Sequence, residues 1–112
     1  MKHIKDYKKL NKPKRKKKFH RPEWFTPAYQ SLLRKVKLRD SNSCQMPGCK
    51  KKRFGMECHH IIPWNMNVAL RYSPENCIML CSKCHEKITG HEAVYASLFF
   101  SIVRVNTINE GR

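Results

Sequence analysis

Two adjacent histidines open an apolar run in the segment "MECHHIIPWN", residues 56–65. One histidine there could be a packed core residue, but His59 and His60 together need a shared partner elsewhere in the chain. Asn76 and His85 lie downstream, the latter directly after a cysteine. Imidazole can accept a proton near pH 7 and, when neutral, can ligate a metal ion. These groups suit phosphodiester hydrolysis, which needs a base for water and a cation for the phosphate charge.

Four of the six cysteines form two close pairs. Four residues separate Cys44 from Cys49, two separate Cys81 from Cys84, and the second pair begins 32 positions after the first one ends. Short spacers let two thiolates converge on one ion, and two such pairs complete the tetrahedral four-sulfur shell of a structural zinc. This shell is closed, so we expect the Zn²⁺ to stabilise the fold and to do no chemistry.

The other two cysteines, Cys58 and Cys77, lie in apolar segments. Free cysteine is commonly buried as a small hydrophobe, and we favour that interpretation for both. A disulfide between them is the alternative, which a reducing compartment disfavours.

The composition indicates a polyanionic partner. The chain has 112 residues, which predicts one domain, and its formal net charge is +16. Residues 1–22 carry eleven Lys/Arg and one acid, which predicts a basic disordered tail. Such a charge favours nucleic acid over the alternative, an anionic membrane surface. No apolar run approaches the roughly 20 residues of a membrane span, and no secretory signal is visible, so we expect an intracellular protein.

Local patterns predict a helix followed by a hairpin. Thr26 suits the N-cap and Pro27 the first position of a helix whose apolar stripe faces the core. Its basic residues should face outward; they are Arg34, Lys35, Lys37 and Arg39. Strands are predicted over residues 56–62 and 77–80, and the second Cys pair runs into a further helix.

A last helix is predicted after Gly90. Thr89 and Glu92 have the spacing of a capping box at its start. Its wide apolar face would comprise Val94, Tyr95, Leu98, Phe99, Ile102 and Val103. The helices at either end would flank the hairpin and its short helix.

The ordered His-His, Asn and Cys-His between the Cys pairs resembles the HNH endonucleases, the ββα-metal nucleases. The resemblance covers roughly residues 44–89, through "CHHIIPW", "PENCIMLC" and "CSKCHEKIT". It is closest to the small, zinc-stapled HNH proteins common in phages and mobile elements. It implies a small α+β fold with a ββα-metal motif, stabilised by zinc. It also implies a host-cell cytoplasmic, nucleoid-associated location and partners in a DNA-processing complex.

The resemblance also implies residue roles. His60 matches the general base, and Asn76 matches the catalytic-motif asparagine that ties the loop between the strands. His59 and His85 match ligands of a catalytic divalent ion. Some members carry another ligand where this chain has Thr89, so two protein ligands are expected, with His91 as a weaker candidate third.

Two imidazoles and several waters would hold Mg²⁺, Mn²⁺ or Ni²⁺ loosely, with room for phosphate oxygens. Neighbouring residues on a flat strand point to opposite faces, so His59 and His60 can share one site only if the strand end bends. Pro63 close behind is compatible with such a bend. The competing interpretation of the histidines is a second structural metal site or packing beside the zinc.

The sequence therefore predicts a metal-dependent DNA endonuclease, nicking or cutting both strands, with its nuclease domain over residues 23–108 and a C-terminal tail over 109–112. Basic side chains are expected to contact phosphates; they are Lys50, Lys51, Lys52, Arg53 and Arg71. The alternatives are a non-catalytic zinc-ribbon nucleic-acid binder or an accessory subunit of a DNA-processing machine. The oligomeric state does not follow from the sequence.

Overall fold

The computed structural model describes residues 26–49, 51–52 and 55–110, so the predicted basic tail lies outside the described residues. Its elements are helix α1 (Pro27–Arg39), strand β1 (Met56–His60), two single 3-10 turns (Val68–Leu70 and Pro74–Asn76), strand β2 (Cys77–Cys81), helix α2 (Ser82–Ile88) and helix α3 (Glu92–Glu110). The predicted small α+β fold, with a hairpin and short helix between flanking helices, is confirmed. None of the described helices is long and apolar enough to cross a membrane.

Helix α1 begins where the sequence predicts. Thr26 caps it by accepting a hydrogen bond from the backbone N–H of Tyr29 at 3.2 Å, and Pro27 occupies the first turn. Leu32 and Val36 are buried against one face of the hairpin. The helix thereby covers the side of β2 that carries Cys77 and Met79.

Arg39 departs from the prediction that it lies on the outer basic face of α1. Only 8% of the residue is exposed, and its guanidinium pairs with Asp40 at 2.8 Å. It also donates to the carbonyl oxygens of Pro74 at 2.7 Å and Cys77 at 2.6 Å. A buried cation must be paired and hydrogen-bonded, and these partners satisfy that requirement. Arg39 therefore ties the end of α1 to the start of β2.

The two strands pair antiparallel, with Met56 opposite Cys81 at one end and His60 opposite Cys77 at the other. β1 is two residues shorter than predicted. Beyond Ile61, the N–H of Ile62 donates to the side-chain oxygen of Asn76 at 2.9 Å, so that a side chain replaces the strand partner there. All five residues of β2 are buried, since helices cover both faces. That explains the unbroken apolar character of "CIML".

Helices α2 and α3 cover the second face of the hairpin. Gly90, at φ +92°, makes the break between them. The predicted capping box is wrong: the Thr89 hydroxyl donates to the carbonyl of His85, and the Glu92 carboxylate accepts from the N–H of Gly90. Thr89 instead ends α2 as its C-cap.

The apolar face predicted for α3 is only partly buried. Phe99 and Val103 enter a core that they share with Ile61, Ile78, Leu80 and Ile88. Val94 is 76% exposed and Leu98 39% exposed, because the small hairpin covers only part of a 19-residue helix.

Candidate functional site

The four paired cysteines come together at the Met56–Cys81 end of the hairpin. The sulfur atoms of Cys44, Cys49, Cys81 and Cys84 all lie within 4.8 Å of one another, and those of Cys49 and Cys81 are 3.9 Å apart. Tetrahedral zinc with Zn–S bonds of about 2.3 Å would place two sulfurs about 3.8 Å apart. The donor set and its spacing therefore fit a zinc ion.

Electrostatics explains why this cluster needs a cation. Burial raises the pKa of Cys81, but the N–H of Cys84, 3.4 Å from its sulfur, and the neighbouring thiols outweigh burial and lower the pKa to about 7. Burial and then the neighbouring thiols raise the pKa of Cys84 to about 12, and burial also raises that of Cys44. Four thiolates would need a compensating positive charge here, which a bound Zn²⁺ would supply.

A pair of histidines forms a second centre where β1 meets α2. Nδ1 of His59 and Nε2 of His85 are 3.3 Å apart. Two nitrogens bound to one ion at about 2.1 Å, with an angle of 90–109°, would be roughly 3.0–3.4 Å apart. The spacing fits two ligands of one divalent ion as well as it fits a hydrogen bond.

His59 is suited to act as a neutral ligand. The residue is 5% exposed and its ring packs edge-on against Phe99, with centroids 5.6 Å apart. Burial first, and the positive charge of His85 second, lower its pKa to about 4. Its Nε2 is buried and has no hydrogen-bond partner among the described residues. At neutral pH the ring therefore carries a lone pair that a cation can use.

Glu57 orients the second histidine, and the sequence reasoning missed it. Its Oε1 lies 2.5 Å from Nδ1 of His85. Since a carboxylate accepts, Nδ1 carries the hydrogen and the lone pair of the neutral ring lies on Nε2, the atom that faces His59. The available signal was the strand period: Glu57 precedes His59 by two residues and shares its face.

His60 lies on the other face of the hairpin, toward α1. Its Nε2 is 2.9 Å from the carbonyl oxygen of Arg71, and its ring meets that of Trp64 edge-on at 5.2 Å. The carbonyl can only accept, so Nε2 carries the hydrogen and the lone pair of the neutral ring lies on Nδ1. The adjacent histidines thus have different partners within the described residues, as the alternation of a strand requires.

Asn76 fixes the connection between the strands. It is 2% exposed, and its side-chain oxygen accepts from the N–H of Ile62 at 2.9 Å. Its amide group donates to the carbonyls of Ile62 at 3.1 Å and Leu70 at 3.4 Å. Asn76 therefore acts as a positioning residue, which holds the segment that presents the Arg71 carbonyl to His60.

The predicted phosphate-contacting residues are only partly described. Lys51 and Lys52 are exposed, whereas Lys50 and Arg53 lie outside the described residues. Arg71 is held by Trp64: its Nε donates to the Trp64 carbonyl at 2.8 Å, and its guanidinium carbon lies 4.9 Å from the ring centroid. That side chain is half-buried and held on Trp64, whose ring also meets that of His60.

The comparisons with known proteins give one positive result. A family model described as HNH endonuclease matches residues 44–90. That range begins at the first cysteine of the four-sulfur cluster, spans the whole hairpin and ends just beyond α2. Searches of curated proteins and of solved structures each find no match to the chain.

Proposed function

We propose that the chain, of which residues 44–90 match the HNH endonuclease family model, is a metal-dependent endonuclease that hydrolyses phosphodiester bonds of DNA. The observation that carries the proposal is the His59–His85 pair, whose facing nitrogens have the spacing of two ligands of one ion. Glu57 holds His85 in the required tautomer. The family match supports nuclease activity in general, and the residue roles below are part of the proposal.

His59 and His85 would hold a divalent ion such as Mg²⁺, Mn²⁺ or Ni²⁺. Bound there, the ion would neutralise charge that develops on the phosphate and on the leaving oxygen. The side chain of Thr89 bonds the backbone carbonyl of His85, and His91 is exposed on the following turn. Two protein ligands leave most coordination positions to water and to phosphate oxygens.

His60 would act as the general base. The Arg71 carbonyl fixes its ring and keeps the hydrogen on Nε2, so that Nδ1 can accept a proton from the attacking water. His60 is the last residue of β1, and the chain bends directly after it. The proposal requires the scissile phosphate to lie at that strand end, where residues from both faces can approach it.

The four-cysteine zinc would hold the frame of the site. It joins the Cys44–Cys49 segment to the end of β2 and the start of α2, and α2 carries His85. A zinc bound there contributes folding free energy that a small apolar core does not supply. Its loss should therefore abolish activity indirectly, by dispersing the residues of the site.

Charge would supply most of the affinity for DNA. The net charge of +16 is shared between the basic tail and the folded part. The proposed phosphate contacts are Lys50, Lys51, Lys52, Arg53 and Arg71. Contacts of this kind depend on salt and carry no sequence preference of their own.

A second candidate is a non-catalytic zinc-ribbon protein that binds nucleic acid, alone or as an accessory subunit of a DNA-processing machine. The observation that favours it is the placement of His59 and His60 on opposite faces of the hairpin. A scaffold that binds DNA without cleaving it would have no need to bring the two rings together.

Cleavage of supercoiled plasmid separates the two candidates. Purified protein should convert the plasmid to nicked or linear forms with Mg²⁺ or Mn²⁺, and EDTA should stop the reaction. His85→Ala should lose most of the activity at low Mn²⁺ and recover part of it at high Mn²⁺, because it removes one ligand. His91→Ala, which removes an exposed histidine near α2, is the matched control. DNA binding without metal-dependent cleavage by the wild-type protein would instead support the second candidate.

A further inference from the structure

Three potential metal ligands outside the proposed active ion site meet at the His60 end of the hairpin. Ligating atoms of Cys58, His60 and Cys77 all lie within 4.8 Å of one another. The strand register brings them together: His60 is paired directly with Cys77, and Cys58 lies two residues before His60 on the same face. The cluster is therefore built into the hairpin and does not depend on a flexible loop.

The spacing is close to that of a thiolate metal site. Tetrahedral zinc would place two sulfurs about 3.8 Å apart, and a sulfur and a nitrogen about 3.6 Å apart. Side-chain movements of about 1 Å would bring the three groups to those values. The four-cysteine centre meets the same 4.8 Å limit. Cys77 is fully buried, whereas Cys58 and His60 are half-buried, so a cation could enter from their side.

Two guanidinium groups lie near the cluster, and a carboxylate offsets one of them. Arg71 stacks on Trp64, whose ring also meets that of His60, and Arg39 donates to the Cys77 carbonyl at 2.6 Å. The Asp40 carboxylate pairs with that guanidinium through two contacts, at 2.8 and 3.0 Å. Together they form a neutral pair beside the cluster.

We propose that Cys58, His60 and Cys77 form a second metal site, which binds a soft divalent cation such as Zn²⁺ through two thiolates and one imidazole. Each thiol that binds would release one proton to solvent. Three protein ligands leave a fourth position for water or for an exogenous ligand. Thiolates select Zn²⁺ over Mg²⁺ and Mn²⁺, so this site differs in metal preference from the His59–His85 pair.

Occupation of this site would inhibit cleavage. A cation on the His60 ring would use or displace the lone pair that the proposed general base needs. This consequence rests on the proposed function, whereas the metal site itself does not. Zn²⁺ would then act as an inhibitor of an enzyme that works with Mg²⁺ or Mn²⁺.

Cobalt spectroscopy tests the site without reference to activity. Full-length protein carrying one zinc per chain is titrated with Co²⁺ under reducing conditions, and retained zinc is measured by elemental analysis. Cobalt bound by thiolates gives a near-ultraviolet charge-transfer band, which binding at the two histidines alone cannot give. We expect one Co²⁺ per chain with such a band while the original zinc stays in place. Absence of the band under those conditions would overturn the proposal.

Variants assign the band to these residues. In Cys58→Ser the charge-transfer band should lose at least half of its intensity. His60→Ala should weaken the affinity for Co²⁺ by tenfold or more. Both positions are half-buried, so a folded protein is expected. His59→Ala is the matched control, because it removes the neighbouring imidazole on the opposite face of the hairpin. This variant should keep the charge-transfer band. A wild-type band in Cys58→Ser would refute the assignment.

Inhibition by Zn²⁺ is then compared between wild type and Cys58→Ser, each relative to its own rate in Mg²⁺. If the second site is responsible, Cys58→Ser should need at least tenfold more Zn²⁺ for half inhibition. Equal sensitivity would show that Zn²⁺ acts at the His59–His85 pair, which would overturn the inhibitory role. Absence of cleavage in Mg²⁺ would count against the proposed function, while the cobalt band would still decide the metal site.

Discussion

The role of Glu57 gives a quantitative prediction. Glu57→Ala removes the carboxylate that accepts from Nδ1 of His85 and leaves both proposed ligands in place. Partners of this kind typically contribute 10–100-fold to metal affinity. The Glu57 side chain is 46% exposed, so solvent partly replaces the lost contact and we expect the lower end, about tenfold.

Simple loss of charge would have a smaller effect. The Glu57 carboxylate would lie about 6–7 Å from an ion on Nε2 of His85, as the ring dimensions and a bond of about 2.1 Å require. At that distance in water a unit charge and a divalent ion interact by about 1.3 kcal/mol without screening. Physiological salt, with a Debye length of about 8 Å, reduces this to about 0.6 kcal/mol, or roughly threefold in affinity. The hydrogen bond, and not the charge alone, should therefore dominate.

Mn²⁺ binding to the zinc-loaded protein, measured by electron paramagnetic resonance of the free ion, provides the assay. Glu86→Ala is the matched control, because Glu86 lines the same surface depression as Glu57 and His85 and carries the same charge. We expect Mn²⁺ affinity to fall about tenfold in Glu57→Ala and at most about threefold in Glu86→Ala. Equal losses in the two variants would refute the orienting role of Glu57.

Four further predictions concern stability, DNA binding and protonation. Removal of zinc, or Cys81→Ser, should unfold the domain, as followed by circular dichroism; retention of full thermal stability would contradict the zinc assignment. Deletion of residues 1–21 removes eleven cations and should flatten the salt dependence of DNA binding without lowering the melting temperature. Asn76→Ala should cost about 2–3 kcal/mol in urea unfolding, since buried backbone groups lose their partners; a cost below 0.5 kcal/mol would refute its positioning role. Nuclear magnetic resonance should find His59 neutral from pH 7.5 to 5.5, whereas an ordinary histidine would titrate near 6.5.

Features set by short-range chemistry could be predicted from the sequence. The Thr26 cap depends on residues within one helical turn, and each of the two close cysteine pairs depends on a short spacer. The ordered histidines and Asn76 indicated the hairpin and the tie between its strands. Neighbouring residues carry most of the information for the cap and the cysteine pairs, whereas the histidines and Asn76 were informative through the resemblance to the HNH endonucleases.

Features set by tertiary register could not be predicted in the same way. Arg39 is buried because Asp40 and two carbonyls from a distant segment satisfy its charge. Glu57 gains its role only because α2 brings His85 alongside β1. The predicted capping box failed because Thr89 found a partner in the preceding turn. Each outcome depends on contacts between elements.

The central claim is that His60 is the base of a metal-dependent nuclease. Its most direct test is the single-turnover rate of plasmid cleavage by His60→Ala at saturating Mn²⁺, beside the wild-type protein. The variant keeps both proposed metal ligands, so we predict unchanged DNA and Mn²⁺ binding and a rate lower by roughly 10²–10⁴. Cleavage by His60→Ala at the wild-type rate would contradict the claim.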